Sequence, residues 1–132
     1  MPAPRSFDYA IIRIVPRVER QEFLNVGVVV FSRTGHFLEV KIDYELARLA
    51  AFAPGCELEM VRAQLRAVET VCRGGAEAGY FGTLSQSERF NWLVAPSSTI
   101  IQASPVHSGL AENPAEALRA LYDLLVARPG SV

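Results

Sequence analysis

Residues 23–31 read Phe-Leu-Asn-Val-Gly-Val-Val-Val-Phe, and this run of β-branched and aromatic residues is the strongest strand signal in the chain. Residues 7–16, which precede it, are also β-rich and end at Pro16. In residues 36–43, which follow it, apolar and charged side chains alternate from position 38 onwards. Three consecutive strands with short connections predict an antiparallel sheet.

The register between the second and third strands is predicted from their aliphatic positions. Even-numbered residues are aliphatic at both 24–30 and 38–42, so we expect them to share one face of the sheet. A three-residue loop at 33–35, with its glycine in the left-handed conformation, would produce this pairing by setting Ser32 opposite His36. One face is then aliphatic and the other is mixed.

The mixed face carries the polar residues that suggest function. The predicted register aligns Asn25 with Asp43 and Gly27 with Lys41, and the first hairpin brings Arg13 near Asn25. A guanidinium inside an apolar strand is costly unless it is paired. Two interpretations therefore stay open: Arg13 binds an anion, supported by Asn25 and reached over Gly27, or it forms an ion pair with Asp43 or Glu22.

Helical periodicity follows the sheet. The segment at 86–95 fits a helix that begins with a Ser85–Glu88 capping box, and it fits a strand nearly as well. Further helices are predicted at 44–52, with Asp43 as cap, at 57–73, and after Asn113; a strand is predicted at 99–103, and loops at 74–82 and 104–112. The prediction is an α+β single domain over residues 1–132, with a core at about 7–128, short flexible tails, and three to four helices packed on about four antiparallel strands.

Composition excludes several classes of protein. The 132 residues include 13 basic and 14 acidic ones. The chain therefore lacks the excess of positive charge that is expected of a nucleic-acid binder. No apolar run approaches the roughly 20 residues that cross a membrane, and no secretory signal is visible. Cys56 and Cys72 flank one predicted helix, about 24 Å apart, so no disulfide is expected. We expect a cytoplasmic protein that does not bind membranes.

No motif indicates catalysis, a metal or a cofactor. Two histidines and two separated cysteines make a structural zinc site improbable, and the serines lack a nucleophile elbow. The catalytic alternative is a hydrolytic or phosphate-processing enzyme that uses Glu22, Asp43 and His107, with Arg13 or Arg89 stabilising charge.

Four blocks of sequence occur in the order that is typical of one family. They are Phe7-x-Tyr9-x-x-x-Arg13-x-x-Pro16, Glu22-Phe23-x-Asn25-x-Gly27-x-x-x-Phe31, Arg89-Phe90-x-Trp92-Leu93, and the run from Ser98 to Leu110. The chain thereby resembles the bacterial domain-of-unknown-function family 3037 over about residues 7–126. Members often have Arg where this chain has Ser97. The resemblance implies one domain and no particular reaction, and it implies a protein partner, because relatives can neighbour a HipA-like kinase gene.

The function expected from the sequence is that of a non-catalytic binding or regulatory module. It would act through a protein partner, such as a HipA-like kinase, or through self-association, because apolar residues on the mixed face need to be covered. The candidate binding residues are Arg13, Glu22, Asn25, Gly27, Asp43, Arg89, Trp92, Gln102 and His107.

Overall fold

The computed structural model describes residues 3–127 and confirms the α+β class. Within this range, one open antiparallel sheet of five strands carries helices on both faces. The elements are β1 (Arg5–Ile14), β2 (Leu24–Ser32), β3 (Phe37–Ile42), α1 (Ala47–Phe52), α2 (Leu58–Arg73), α3 (Gln86–Leu93), β4 (Ile101–Ala103), β5 (His107–Ala111) and α4 (Pro114–Tyr122). A π-helical turn at Asp123–Ala127 continues α4, and 3-10 turns occupy Val18–Arg20 and Ala76–Thr83. Of the predicted tails, residues 1–2 and 128–132 lie outside the described residues.

The strand order is β3-β2-β1-β4, and β5 pairs with the other half of β1. β1 is long enough to pair with β4 near its end and with β5 near its start. Ser104 lies between the two short strands, where its N–H donates to the Ile11 carbonyl at 2.8 Å and its Oγ accepts the Ile11 N–H at 2.8 Å. The prediction of a loop over 104–112 is wrong, because the free edge of β1 orders a strand whose own residues have little β propensity.

The loop between β2 and β3 is one residue longer than predicted. Ser32 pairs with Phe37, not with His36. The left-handed residue is His36, with φ of 50°, and its N–H donates to the Arg33 carbonyl at 3.2 Å. The predicted role of Gly35 and the predicted register are therefore both wrong. A slip of one residue exchanges the faces of every side chain on a strand.

The aliphatic residues of β2 consequently serve two cores. Val28 and Val30 lie beneath α4, whereas Val29 and Phe31 lie beneath the helices of the other face with Leu38. The larger core includes Ala10, Ile12, Ile14, Val26, Leu46, Leu49, Val61, Leu65, Cys72 and Phe90. The smaller core includes Phe7, Leu118 and Val126. The prediction of one aliphatic face and one mixed face is therefore wrong, because both faces of the sheet carry a buried apolar core.

A β-bulge sits where β2 passes Arg13. Ile12 pairs with Gly27 and Arg13 with Asn25, so Val26 is the extra residue. A Cβ on Gly27 would lie 2.9 Å from the Lys41 carbonyl oxygen, so this glycine permits close packing of β3. Gly27 does not open a path to a ligand at Arg13, as the sequence suggested, because the space at its missing Cβ is filled by β3.

The helix predictions are largely confirmed. The segment at 86–95 is helical over Gln86–Leu93, with the reciprocal Ser85–Glu88 capping box formed. The Asn113 side chain caps α4. The first predicted helix begins only at Ala47, and Asp43 caps the preceding turn by accepting the N–H groups of Glu45 and Leu46. The predicted loop at 74–82 contains a 3-10 turn.

Candidate functional site

Helix α4 covers only half of its face of the sheet. The helix and the π-helical turn after it pack on β2 and β3, with Leu118 and Val126 buried. On the same face, Phe7 near the start of β1 is buried, whereas the other side chains of β1, β4 and β5 are half-buried or exposed. We call this region the open face and define it by Tyr9, Ile11, Arg13, Gln102 and His107.

Strand alternation and pairing place these five side chains together. Odd-numbered residues of β1 share the α4 side of the sheet, since Phe7 packs in the smaller core while Ala10 and Ile12 pack in the larger one. Directly opposed residues of paired strands lie on the same face. Gln102 opposes Arg13, and His107 opposes Tyr9 with their ring centroids 5.5 Å apart.

Arg13 carries the only formal positive charge among the open-face residues at neutral pH with histidine neutral. Its guanidinium lies over the Phe23 ring at 4.0 Å. It makes no hydrogen bond or ion pair with any residue from 3 to 127; Nε is buried without a partner, whereas Nη1 and Nη2 are not buried. Burial lowers the pKa of Arg13, but a guanidinium stays charged. The interpretation of Arg13 as half of an ion pair is therefore wrong.

Asn25 borders the open face. It opposes Arg13, as predicted, and its Nδ2 donates to the Leu125 carbonyl at 3.2 Å, which ties the π-helical turn to β2. Its Oδ1 is buried and has no partner within the described part of the chain. The predicted alignment of Asn25 with Asp43 does not form, because Gly27 pairs with Ile42 and the Asp43 N–H donates to the Val26 carbonyl at 2.8 Å.

The residues of the catalytic alternative do not converge. Glu22 pairs with Arg20 at 2.6 Å in an exposed loop. Asp43 follows β3 at one edge of the sheet, while His107 lies on β5 at the other edge, at least about 14 Å away, which is the width of three strand spacings. Among residues 3–127, no three His, Cys, Asp or Glu side chains are grouped to hold a metal ion.

Arg89 and Trp92 lie on α3, on the opposite side of the sheet from the open face. Arg89 is buried, its Nη1 donates to the Leu84 carbonyl at 2.6 Å, and its guanidinium packs against Gly74. Arg89 therefore ties α3 to the end of α2. Trp92 is 54% exposed, with its ring centroid 4.5 Å from that of Phe81.

The family model for proteins of unknown function DUF3037 matches residues 9–126. The chain belongs to this family. The DUF3037 match includes all five residues of the open face and most of every described element. No curated protein and no solved structure is significantly similar to the chain. In the part of this DUF3037 protein that the structure describes, no helix has the length and apolar character needed to cross a membrane.

Sequence reasoning missed the contact between Phe23 and Arg13 in this DUF3037 chain. The Phe23 ring supports the Arg13 guanidinium and is 45% exposed. The available signal was an aromatic residue placed immediately before β2, in the same block as Asn25. Its use by Arg13 depends on the bulge at Val26, which no local pattern specified.

Proposed function

We propose that this domain is a non-catalytic protein-binding module whose contact surface is the open face. One observation carries the proposal: an unpaired guanidinium, held against Phe23, stands on a sheet surface that α4 leaves uncovered. Arginines that are partly removed from water usually have partners, because desolvation of an unpaired charge is unfavourable. A partner protein can supply the missing one.

The orientation of Arg13 defines the group that it would bind. Nε is turned inward and buried, so only the end of the guanidinium formed by Nη1 and Nη2 is available. Two parallel N–H donors at this end match the two oxygens of a carboxylate. Tyr9 and Ile11 lie beside Arg13 on the same strand and offer apolar contact. The expected partner presents an Asp or Glu side chain flanked by apolar residues.

A different protein fits this surface better than a second copy of the chain. A two-fold dimer would place the same patch opposite itself. The open face contains an unpaired cation and no acidic residue, so a symmetric contact through it would bury two guanidinium groups without a carboxylate. Charge complementarity therefore favours an acidic partner over self-association at this face.

Nothing in the geometry favours the catalytic alternative. Glu22 lies in a loop, and Asp43 and His107 lie at opposite edges of the sheet. Catalytic groups that act on one reacting atom must all lie within hydrogen-bond distance of it, and these three do not. The proposal therefore assigns binding to the open face and no reaction.

The proposal is tested with charge-reversal variants of the tagged full chain. Arg13→Glu is compared with wild type and with Arg17→Glu, which changes the same charge in an exposed loop. We expect a protein that wild type and Arg17→Glu both retain from a cell extract and that Arg13→Glu loses. The HipA-like kinase suggested by the family resemblance is the first purified protein to mix with the chain.

Calorimetry on the purified pair then gives the affinity. Loss of a charge-assisted bidentate contact predicts at least about tenfold weaker binding by Arg13→Glu. Arg13→Gln, which removes the charge without reversing it, serves as the milder variant, and thermal melts verify folding. Equal affinity of wild type and both Arg13 variants for every captured partner would contradict the proposal.

A further inference from the structure

A groove lies on the other side of the sheet, between β4, α2 and α3. It encloses about 550 Å³, within the size range of binding sites for small molecules and short peptide segments. Its apolar walls come from Val68, Val71, Phe81, Trp92, Pro96 and Ile101. The groove and the open face lie on opposite sides of β4, and Gln102 of that strand borders both.

The lining selects an uncharged occupant. None of the residues that line the groove is charged. The polar ones are Gln64, Ser97, Thr99 and Gln102, of which Gln102 has its side chain on the open face. A charged group entering such a site would lose water without gaining an ion pair. Rigid aromatic side chains such as Trp92 and Phe81 provide contact area at low cost in conformational entropy.

The backbone of β4 contributes unpaired hydrogen-bonding groups beside this groove. Ile100 and Ser104 bond through their backbones to β1, so by alternation the N–H and C=O groups of Ile101 and Ala103 point away from β1. The Thr99 hydroxyl donates to the Ile101 carbonyl at 2.9 Å. The two N–H groups and the Ala103 carbonyl have no partner among residues 3–127.

We propose that this groove binds an extended, apolar and uncharged segment of a partner protein, which adds to β4 as a further strand. The free groups of Ile101 and Ala103 would pair with its backbone. Because side chains alternate along a strand, every second residue would enter the space between β4 and α2. The inference rests on the groove alone and stands whether or not the open face binds a partner.

A strand accounts for both features of the groove at once. A compact apolar molecule would fill the space beneath Trp92 and leave the β4 N–H groups unpaired. A polar peptide would pair with β4 and leave the apolar walls exposed. Only an extended segment with apolar residues at alternate positions satisfies the backbone edge and the walls together.

The probe is the peptide acetyl-Val-Thr-Val-Thr-Val-amide, and the reporter is Trp92, which is the only tryptophan in the chain. We expect a saturable blue shift of Trp92 emission when the peptide is added to the full chain. In hydrogen exchange followed by NMR, the amides of Ile101 and Ala103 should become protected. Two N-methylated peptides, each blocked at one alternate set of amides, separate backbone pairing from simple apolar contact. One should bind about as well as the parent and the other at least about fivefold more weakly, as expected for lost backbone hydrogen bonds.

Two substitutions on α2 provide matched controls. Ala67 lines the groove, and Ala63, one turn earlier and also exposed, does not. Ala67→Glu should weaken peptide binding more than about tenfold by placing a charge against an apolar strand, while Ala63→Glu leaves it unchanged.

Several results would overturn the proposal. They are an unshifted Trp92, equal binding by both methylated peptides, unprotected Ile101 and Ala103 amides, and equal affinities of the two alanine variants. Concentration-dependent self-association that Ala67→Glu abolishes would identify the occupant as a second copy and would also contradict it.

Discussion

Substitution of Gly27 by alanine tests the close packing of β2 against β3 beside the bulge. The new Cβ would lie 2.9 Å from the Lys41 carbonyl oxygen and 3.1 Å from Ile42 Cγ1. The carbonyl belongs to the strand paired with Gly27, so it cannot withdraw without disturbing the β2–β3 ladder. Overpacking of this kind typically costs about 1–3 kcal/mol.

The net effect includes an opposing contribution from the unfolded chain. Replacing glycine by alanine restricts the unfolded state and stabilises the fold by about 0.4–1 kcal/mol where the backbone conformation suits alanine. Gly27 does not have a positive φ, so this gain applies. We therefore expect Gly27→Ala to lower the free energy of unfolding by about 1–2 kcal/mol. The melting temperature should fall by roughly 3–5 °C for each kcal/mol in a chain of this size.

Urea unfolding followed by circular dichroism measures the change, with Gly55→Ala as the control. A Cβ on Gly55 would meet no atom within 4 Å, and Gly55 does not have a positive φ. Gly55→Ala should therefore be neutral or stabilising by up to about 1 kcal/mol. A Gly27→Ala protein as stable as wild type, beside a normal Gly55→Ala, would refute the close approach of β2 to β3 at this point.

Three further predictions concern the helices and the thiols. Asn113→Ala removes the side-chain acceptor for the Ala115 N–H and should cost about 1 kcal/mol in a urea titration, whereas an unchanged midpoint would argue against the cap. Cys56, which is partly exposed, should react with a thiol reagent in the folded protein. Burial raises the pKa of Cys72 to about 12 and should protect this thiol from the reagent until the protein unfolds. Equal labelling rates of the two cysteines would contradict this prediction. Hydrogen bonds from Ser85 lower the pKa of Glu88, so its stabilising contribution is present above the ordinary glutamate pKa and is lost as the pH falls through the lowered value. Acid titration of Glu88→Gln should show a weaker decline in stability below about pH 4.5 than wild type, and parallel curves would count against the capping box.

Local signals were sufficient to predict most elements of this fold. The capping box before α3 and the Asn-Pro start of α4 involve residues within three positions of each other, and both form as expected. The prediction that Arg13 lies near Asn25 was also correct, and a bulge at Val26 produces this pairing. In a regular ladder, the pairing of Ile12 with Gly27 would be followed by Arg13 opposite Val26. The bulge places Asn25 there instead.

The prediction errors occur where strand pairing depends on residues that are distant in the sequence or on the conformation of a single turn residue. A left-handed glycine was the favoured choice for the β2–β3 loop, yet His36 adopts that conformation and adds one residue to the turn. The sequence of β5 contains glycine and serine and gives no strand signal, because its order comes from the edge of β1. Neither outcome follows from propensity, since both depend on the packing of distant segments.

The open face follows from the widths of the elements. An α-helix with its side chains is about 10–12 Å across, whereas four strands spaced by about 4.8 Å span roughly 19 Å. On the α2 side, three helices contribute to the larger core, with Leu49, Leu65 and Phe90 buried. On the other side, α4 and the turn that continues it cover β2 and β3. One helix therefore leaves about two strand widths uncovered. Arg13 stands in this uncovered half because odd-numbered residues of β1 share that face, and the bulge at Val26 sets Asn25 opposite it. A surface of this kind arises from the number of helices on each face, so a search for catalytic motifs would not detect it.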